Sequence, residues 1–455
     1  MSRLADEIRR IREANRDIAG LACHIADLRL DAFTPDRAHE HQNWVRQQRL
    51  WAEDRLRTLH QRIDLRKRHL KRFTGHARGI VNQVLIEREH QLEMQVRIVQ
   101  QIGDTIAWRM LRADARLLAA LYAERTHHLP LGTGIGGPLL VARKPRESGD
   151  FYVIENDLTR VLGQGDLTAV WAKREWTRPL YLEVKTRGVW EEDATAELGV
   201  SAIEIDSPVD REMYADFCRI AGLKDPPPDV VMRHDERQEQ GMLAGGEIML
   251  RVTEHRAPDL PAASGHVWRT IGNVLTRALR DGSSYDLIER GLGVAAVRAT
   301  DGAQSLERST ETFERLRELG LTARVGTSED FLTNSSWSAL AAPVAMWPLP
   351  RSVRVAPLTG ELFSAVVASP SVWHDAMNDA GLRLDEQDKG WLVSGQGAVR
   401  FLDAVDVLRL ALGVAFSGIS PRDAAQELAK SIAQGAPERS AAQTGPTAPT
   451  NSSRL

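Results

Sequence analysis

The sequence predicts a mixed α/β protein with an α-helical, coiled-coil-like N-terminal region. Two observations point there. Over the first 73 residues apolar side chains recur at alternating four- and three-residue intervals. After residue 127 the texture changes to short aliphatic, β-branched and aromatic runs, which alternate with helical stretches as far as about residue 432.

The N-terminal stripe runs through Leu4, Ile8, Ile11, Ile18, Ala22 and Ile25, with Asn15 on the same face, and returns at Ala52, Leu56, Leu59, Ile63, Leu70 and Phe73, where Arg66 interrupts it. Such spacing suits a coiled coil or an antiparallel hairpin. Asp31 to Pro35 is the expected connection. Gly75 and Gly79 precede a third helix, Val81 to Ile102. A fourth, Asp104 to Arg125, is expected to start at a cap formed by Gly103, Asp104 and Thr105.

His127 to Gly137 reads as a Pro/Gly-rich connection. Strands are expected at Pro138–Ala142, Phe151–Ile154, Asp166–Val170, Pro179–Lys185 and Glu247–Val252, with helices at Arg211–Ala221 and Asp235–Leu243. From His266 a further α/β region follows. Its helices are expected near 267–280, 306–319, 372–381, Val399–Phe416 and Arg422–Ala433, and its strands near 293–299 and 351–356. Beyond Gln434 the aperiodic Ala/Pro/Ser/Thr/Gly composition predicts a disordered tail. The expected division is therefore 1–128, 129–255, 256–432 and 433–455.

Composition narrows the function classes. In 455 residues no apolar run approaches the roughly 18 needed to span a bilayer. The charged N-terminus lacks a secretory signal, so a soluble cytoplasmic protein is expected. Two cysteines, Cys23 and Cys218, support neither a disulfide framework nor a cysteine-rich zinc site. Net charge is −3, but residues 1–125 hold 24 Lys and Arg against 17 Asp and Glu. Only eight of the 59 basic residues are Lys, so the placement of a Lys carries more information than that of an Arg.

The informative segment is Leu182-Glu183-Val184-Lys185. Alternation on a strand puts Tyr181, Glu183 and Lys185 on one side and Leu182 and Val184 on the other. A carboxylate there can hold a divalent cation, and the neighbouring ammonium can stabilise developing charge or orient an attacking water. Mg²⁺ wants more than one oxygen ligand. Asp166 opens the preceding strand, and a hairpin near Lys173–Arg178 would bring it beside Glu183.

An Asp opening one strand, followed on the next by Glu-x-Lys, resembles the PD-(D/E)xK nuclease superfamily, and among its members the bacterial phage-defence nucleases. Residues 155–166 (ENDLTRVLGQGD) are similar to the approach to the catalytic Asp in bacterial members. The resemblance covers about 150–255, with a possible extension back into the helix at 104–125, and implies a restriction-endonuclease-like mixed sheet flanked by helices. It implies Asp166 and Glu183 as ligands of Mg²⁺ or Mn²⁺, the Val184 carbonyl as a further ligand, and Lys185 as the catalytic lysine. Gln238, after Arg237, corresponds to a polar residue that the family often adds from a following helix, although here it comes about 50 residues after Lys185. Glu155 and Asp157 are candidates for an additional carboxylate. The implied function is a metal-dependent nuclease acting on nucleic acid, DNA in the first instance, in a bacterial anti-phage defence or mobile-element system. The partners implied are an activating or co-defence protein and a second copy joined through the N-terminal helices. The competing class is a coiled-coil scaffold or sensor that binds nucleic acid without cutting it. A solvated cross-strand ion pair is the plain structural alternative for Glu183 and Lys185, worth under about 1 kcal/mol.

Other signals weigh less. Gly132 to Gly137 (GTGIGG) matches GxGxxG but follows a helix and precedes an expected strand, so it reads as a loop. The run Arg66, Lys67, Arg68, Lys71, Arg72 can contact phosphates, although such runs are more often solvated helix faces. His127 and His128 lack companions at metal-ligand spacing. Trp108 and Trp171 are expected in the core. No GxSxG, Walker A or HExxH sequence is present.

Overall fold

A computed structural model describes residues 2–29, 32–70, 76–111, 133–162, 166–172, 179–187, 197–203, 208–222, 265–299, 303–328, 342–387, 390–395, 398–403 and 419–433, with the single positions 332, 407 and 410. No helix among them is long and apolar enough to cross a membrane.

Three long helices lead: α1 (Ser2–Asp27), α2 (Pro35–Leu70) and α3 (His76–Met110). The α1 stripe is buried at Ile8, Ile11, Ile18, Ala22 and Ile25. It packs on α3 of the same chain. Asn15 is buried with it and donates to the Gln91 carbonyl (3.0 Å) and side chain (3.3 Å). Arg12 meets Glu87, and Arg109 donates to the Leu28 carbonyl, so α1 and α3 run parallel. Helix α2 runs the opposite way, with His60 beside Glu89. A hairpin layer thus replaces an open coiled-coil arm.

The expected break at Gly103 does not occur: α3 continues through it to Met110. Gly103 is there for close approach, because a Cβ would lie 1.9 Å from the Leu158 carbonyl oxygen. Asp104 is occupied by Arg160, and the Thr105 hydroxyl donates to the Gln101 carbonyl, so neither caps a helix start.

Helix α4 (Thr133–Glu147) corrects two expectations, the strand at 138–142 and the loop reading of GTGIGG. Gly137, Val141, Ala142 and Pro145 are buried, a helical spacing that a five-residue apolar run does not reveal. Strands β1 (Phe151–Glu155), β2 (Leu167–Trp171), β3 (Leu180–Arg187) and β4 (Glu197–Ile203) form an antiparallel sheet in chain order, followed by α5 (Pro208–Ala221). One sheet face, with Phe151, Val153, Leu167, Ala169, Leu182 and Val184, packs on Val141 and Ala142 of α4 and on Met213 and Phe217 of α5. The other carries Ile154 and Tyr181 into the helical layer.

Beyond residue 264, α6 (Gly265–Asp281), β5 (Ser283–Glu289), β6 (Leu292–Arg298), α7 (Ala303–Glu318), β7 (Ala323–Thr327), α8 (Arg351–Leu358) and β8 (Leu362–Ala368) build a second antiparallel sheet, ordered β5-β6-β8-β7. Along β6 the alternation sends Val294 and Ala296 towards α6, and Ala295 towards Leu316 of α7. The expected strand at 351–356 is helix α8. Val353, Ala356 and Pro357 bury at helical spacing, and Pro350 sits just before the helix, where no intrahelical N–H bond is needed. Helix α9 (Val372–Asp379) is followed by a three-stranded meander, β9 (Arg383–Gln387), β10 (Gly390–Gly395) and β11 (Ala398–Asp403), and then by α10 (Pro421–Ala433). The expected helix at 399–416 therefore begins as a strand, with Val399 and Phe401 pairing across to Ser394 and Leu392.

A single hydrophobic cluster runs from Ile102 and Ile106 of α3, through Ile154 and Tyr181, to Trp268 and Ile271 of α6 and Val366 of β8. The three expected segments share this core. Trp108 and Trp171 are buried as expected. The expected elements at 235–243 and 247–252, residues 112–125 of the fourth helix, His127, His128 and the tail lie outside the described residues.

Candidate active site

The site is built where β1 gives way to β2. After Glu155 a 3-10 turn (Asn156–Leu158) leads out of the sheet, and the chain returns at Asp166. The two ends of this excursion are tied together: the Asn156 N–H donates to the Asp166 carbonyl (3.0 Å), and the Thr168 hydroxyl donates to the Asn156 side-chain oxygen (2.8 Å). Asn156 and Thr168 are buried, so this pairing satisfies polar groups that would otherwise be costly in the interior.

Asp166 then makes two bonds to β3. Its N–H donates to the Leu182 carbonyl (2.8 Å), and its carboxylate Oδ2 accepts the Val184 N–H (2.7 Å). These partners are the residues immediately before and after Glu183. The ladder ends at the pair Leu167–Leu182, and Asp166 sits at its mouth, beside the Leu182–Val184 stretch of β3. On β3, Leu182 and Val184 are buried on the α4–α5 side. Positions 183 and 185 therefore alternate to the face that carries Tyr181. On the other flank Glu183 pairs with Ser201 and Lys185 with Gly199. The side chains of Glu183 and Lys185 lie outside those described.

Glu155 goes elsewhere. It pairs with Leu167, on the α4–α5 face of the sheet, away from the face to which positions 183 and 185 alternate. It is buried and ion-paired with Arg146 (2.7 Å) and Arg46. The Gln42 side chain of α2 flanks it, donating to the Val153 carbonyl (3.0 Å) and accepting the Glu155 N–H (2.9 Å) along the outer border of β1. Asp157 sits in the 3-10 turn, where its carbonyl accepts Arg49. Gln238, Lys71 and Arg72 lie outside the described residues. Arg66, Lys67 and Arg68 fall in the last turns of α2, with side chains outside those described.

Sequence reasoning missed the clamp on this loop. Asp104 of α3, fully buried, accepts the Arg160 backbone N–H (2.7 Å) and its Nε and Nη2 (2.8 and 2.7 Å), while Arg160 Nη1 donates to the Leu332 carbonyl (2.7 Å). The available signal was an acid inside an apolar helical stretch, with an Arg inside the aliphatic run Leu158–Leu162.

Chemically, a carboxylate fixed by a backbone N–H supplies hard oxygen donors of the kind that Mg²⁺ and Mn²⁺ prefer. Among the described residues no group of three or more His, Cys, Asp or Glu gathers around a common point; of the paired acids Asp166 and Glu183, Asp166 is the one whose side chain is described. No family model matches the chain, and the comparisons with curated proteins and with solved structures give no match.

Proposed function

We propose that the chain is a metal-dependent nuclease that hydrolyses phosphodiester bonds, with DNA as the first substrate to test. The observation that carries this reading is the attachment of Asp166 to the backbone on both sides of Glu183. It holds Asp166 beside the backbone that carries Glu183, with Lys185 two residues on, which is what supports the reading. The β1–β2–β3 meander, backed by α4 and α5, is the part of the sheet that supports a restriction-endonuclease-like core, although β4 pairs antiparallel on β3, so that the described sheet is wholly antiparallel where a mixed one was expected.

In this reading Asp166 and Glu183, with the Val184 carbonyl, would hold Mg²⁺ or Mn²⁺. The ion supplies Lewis acidity and a more acidic bound water. The Val184 N–H fixes the Asp166 carboxylate, so its orientation is set before substrate arrives. Lys185 stabilises charge developing on the phosphate. The α1 stripe is packed within the chain, so self-association would use another surface. A role in phage defence and an activating protein partner belong to the same proposal, on resemblance alone.

The test compares wild type, Asp166→Ala and Lys185→Ala on plasmid DNA with Mg²⁺ or Mn²⁺, alongside calorimetric Mn²⁺ binding, which needs no activator. Nicking and Mn²⁺ binding by the wild type, with nicking lost in both variants and Mn²⁺ binding lost in Asp166→Ala, support the nuclease. Equal, metal-independent DNA binding by all three, without Mn²⁺ uptake, makes the protein a binding scaffold instead.

A further inference from the structure

We propose that the cleft between α1, α6 and α8 binds a nucleoside monophosphate. Arg16 and Arg351 take its phosphate, the apolar lining takes its base, and Glu361 accepts a hydroxyl or amino hydrogen from it.

Space is the first reason. The cleft is open to solvent and has a volume of about 530 Å³. Small-molecule sites typically span roughly 300–1,000 Å³ and combine an apolar lining with a few placed polar groups. Leu279 of α6 and Val355 and Ala356 of α8 supply the apolar lining here, and Arg16, Arg351 and Glu361 the polar groups.

The arginines are the second reason. Glycine weakens the interior of a helix, yet α1 carries Gly20 in its interior. A Cβ at that position would lie 2.9 Å from Nη2 of Arg351, so the missing side chain is what lets the Arg351 guanidinium rest against α1. Arg16 lies one helical turn before Gly20, on the same face of α1. Two guanidiniums therefore border one space, from two different helices. The nearby acids go to other arginines: Asp27 to Arg354 (2.6 Å), and Glu361 to Arg298 (3.0 Å) and Arg16 (3.4 Å). Arg351 has no ion pair among the described residues.

The hold on Glu361 is the third reason. Arg298 is anchored, with Nη1 donating to the Leu279 carbonyl (3.1 Å) and Nη2 to Glu361 Oε1 (3.0 Å). Arg16 reaches only Oε2, at 3.4 Å, and its side chain is 58% exposed. It can turn to a phosphate while Arg298 still compensates Glu361. Three guanidiniums share one carboxylate around the cleft, an excess that a phosphate monoester matches with its charge of about −1.5 to −2 at neutral pH. Arginine forks also fit phosphate oxygens in pairs. Inorganic phosphate would leave the apolar lining bare, and a fatty acid would bring Glu361 no donor. A nucleotide joins the dianion, a flat ring face and the donors in one molecule. None of these residues belongs to the proposed metal site, so either reading can fail without the other.

The full chain is titrated calorimetrically in EDTA with the four ribonucleoside 5′-monophosphates, the matching nucleosides and inorganic phosphate, at one ionic strength. The expected result is saturable binding of at least one monophosphate, at least about tenfold tighter than its nucleoside and than inorganic phosphate. Arg351→Gln, at an exposed position, should weaken that binding at least about tenfold. Arg280→Gln, whose partner is the adjacent Asp281, and Asp166→Ala should leave it unchanged. No saturable binding by any of the four, equal affinity in Arg351→Gln, or loss of binding in Asp166→Ala overturns the inference. If Arg351→Gln does not fold, Gly20→Ala, which displaces the Arg351 guanidinium, decides in its place by weakening the binding or leaving it unchanged.

Discussion

The carboxylate of Asp166 accepts the backbone N–H of Val184 at 2.7 Å, across the gap between β2 and β3. The side chain takes over a backbone donor of β3 just where Asp166 enters β2, and it does so next to Glu183.

Asp166→Asn should separate chemistry from folding. The amide oxygen can still accept the Val184 N–H, so thermal stability should change little. On the nuclease reading the lost ligand charge should lower metal-dependent cleavage by more than the roughly 10–100-fold typical of outer-shell partners. Parallel melting curves and plasmid nicking rates check this, and full activity in Asp166→Asn would remove Asp166 from the metal site.

Asp104→Ala leaves the Arg160 guanidinium buried without its carboxylate. The expected cost is about 3–5 kcal/mol in urea denaturation. The double variant Asp104→Leu/Arg160→Met should recover only the part due to the unpaired charge, because it still strips the Arg160 N–H and the Leu332 carbonyl of these partners. A loss under 1 kcal/mol for the single variant would show that the pair is not sealed from water.

At Gly103 an alanine Cβ would fall 1.9 Å from the Leu158 carbonyl oxygen, a backbone atom that cannot swing aside. Gly103→Ala should cost at least the roughly 1–3 kcal/mol of ordinary overpacking. Gly265→Ala, with open space around it, is the control and should stay within about 0.5 kcal/mol of wild type.

His39 gives a pH dependence of definite sign. Its folded-state pKa, about 4, lies below the ordinary 6.5, so between those values the unfolded chain binds more protons than the native one. Stability from this group is therefore complete above about pH 6.5 and is lost as pH falls towards 4. His39→Phe should flatten the wild-type slope of unfolding free energy over that window, and an unchanged slope would assign the dependence to other groups.

The sequence shows some of this architecture more readily than the rest. The α1 stripe was readable because one buried face recurs over about five turns, from Ile8 to Ile25, and β1–β3 because they are short aliphatic, β-branched and aromatic runs. Gly103 misled because a glycine that permits close approach looks, in one dimension, like one that ends a helix. Residues 138–142 and 351–356 are too short for period alone to separate helix from strand. Glu155 resembled a ligand by type, but a single step of strand parity decided its face, and that parity depends on its pairing with Leu167. The Asp104–Arg160 pair joins positions 56 apart, and no local pattern announces it.

Gln42 has a consequence for the company this protein keeps. By presenting a donor to the Val153 carbonyl and an acceptor to the Glu155 N–H, its amide imitates a neighbouring strand along that margin of the first sheet. An incoming extended peptide would find those two valences already spent. Replacing the glutamine with a residue lacking either group would strip the buried Glu155 N–H of this acceptor beneath α2, a cost to the fold incurred even though no catalytic atom had moved.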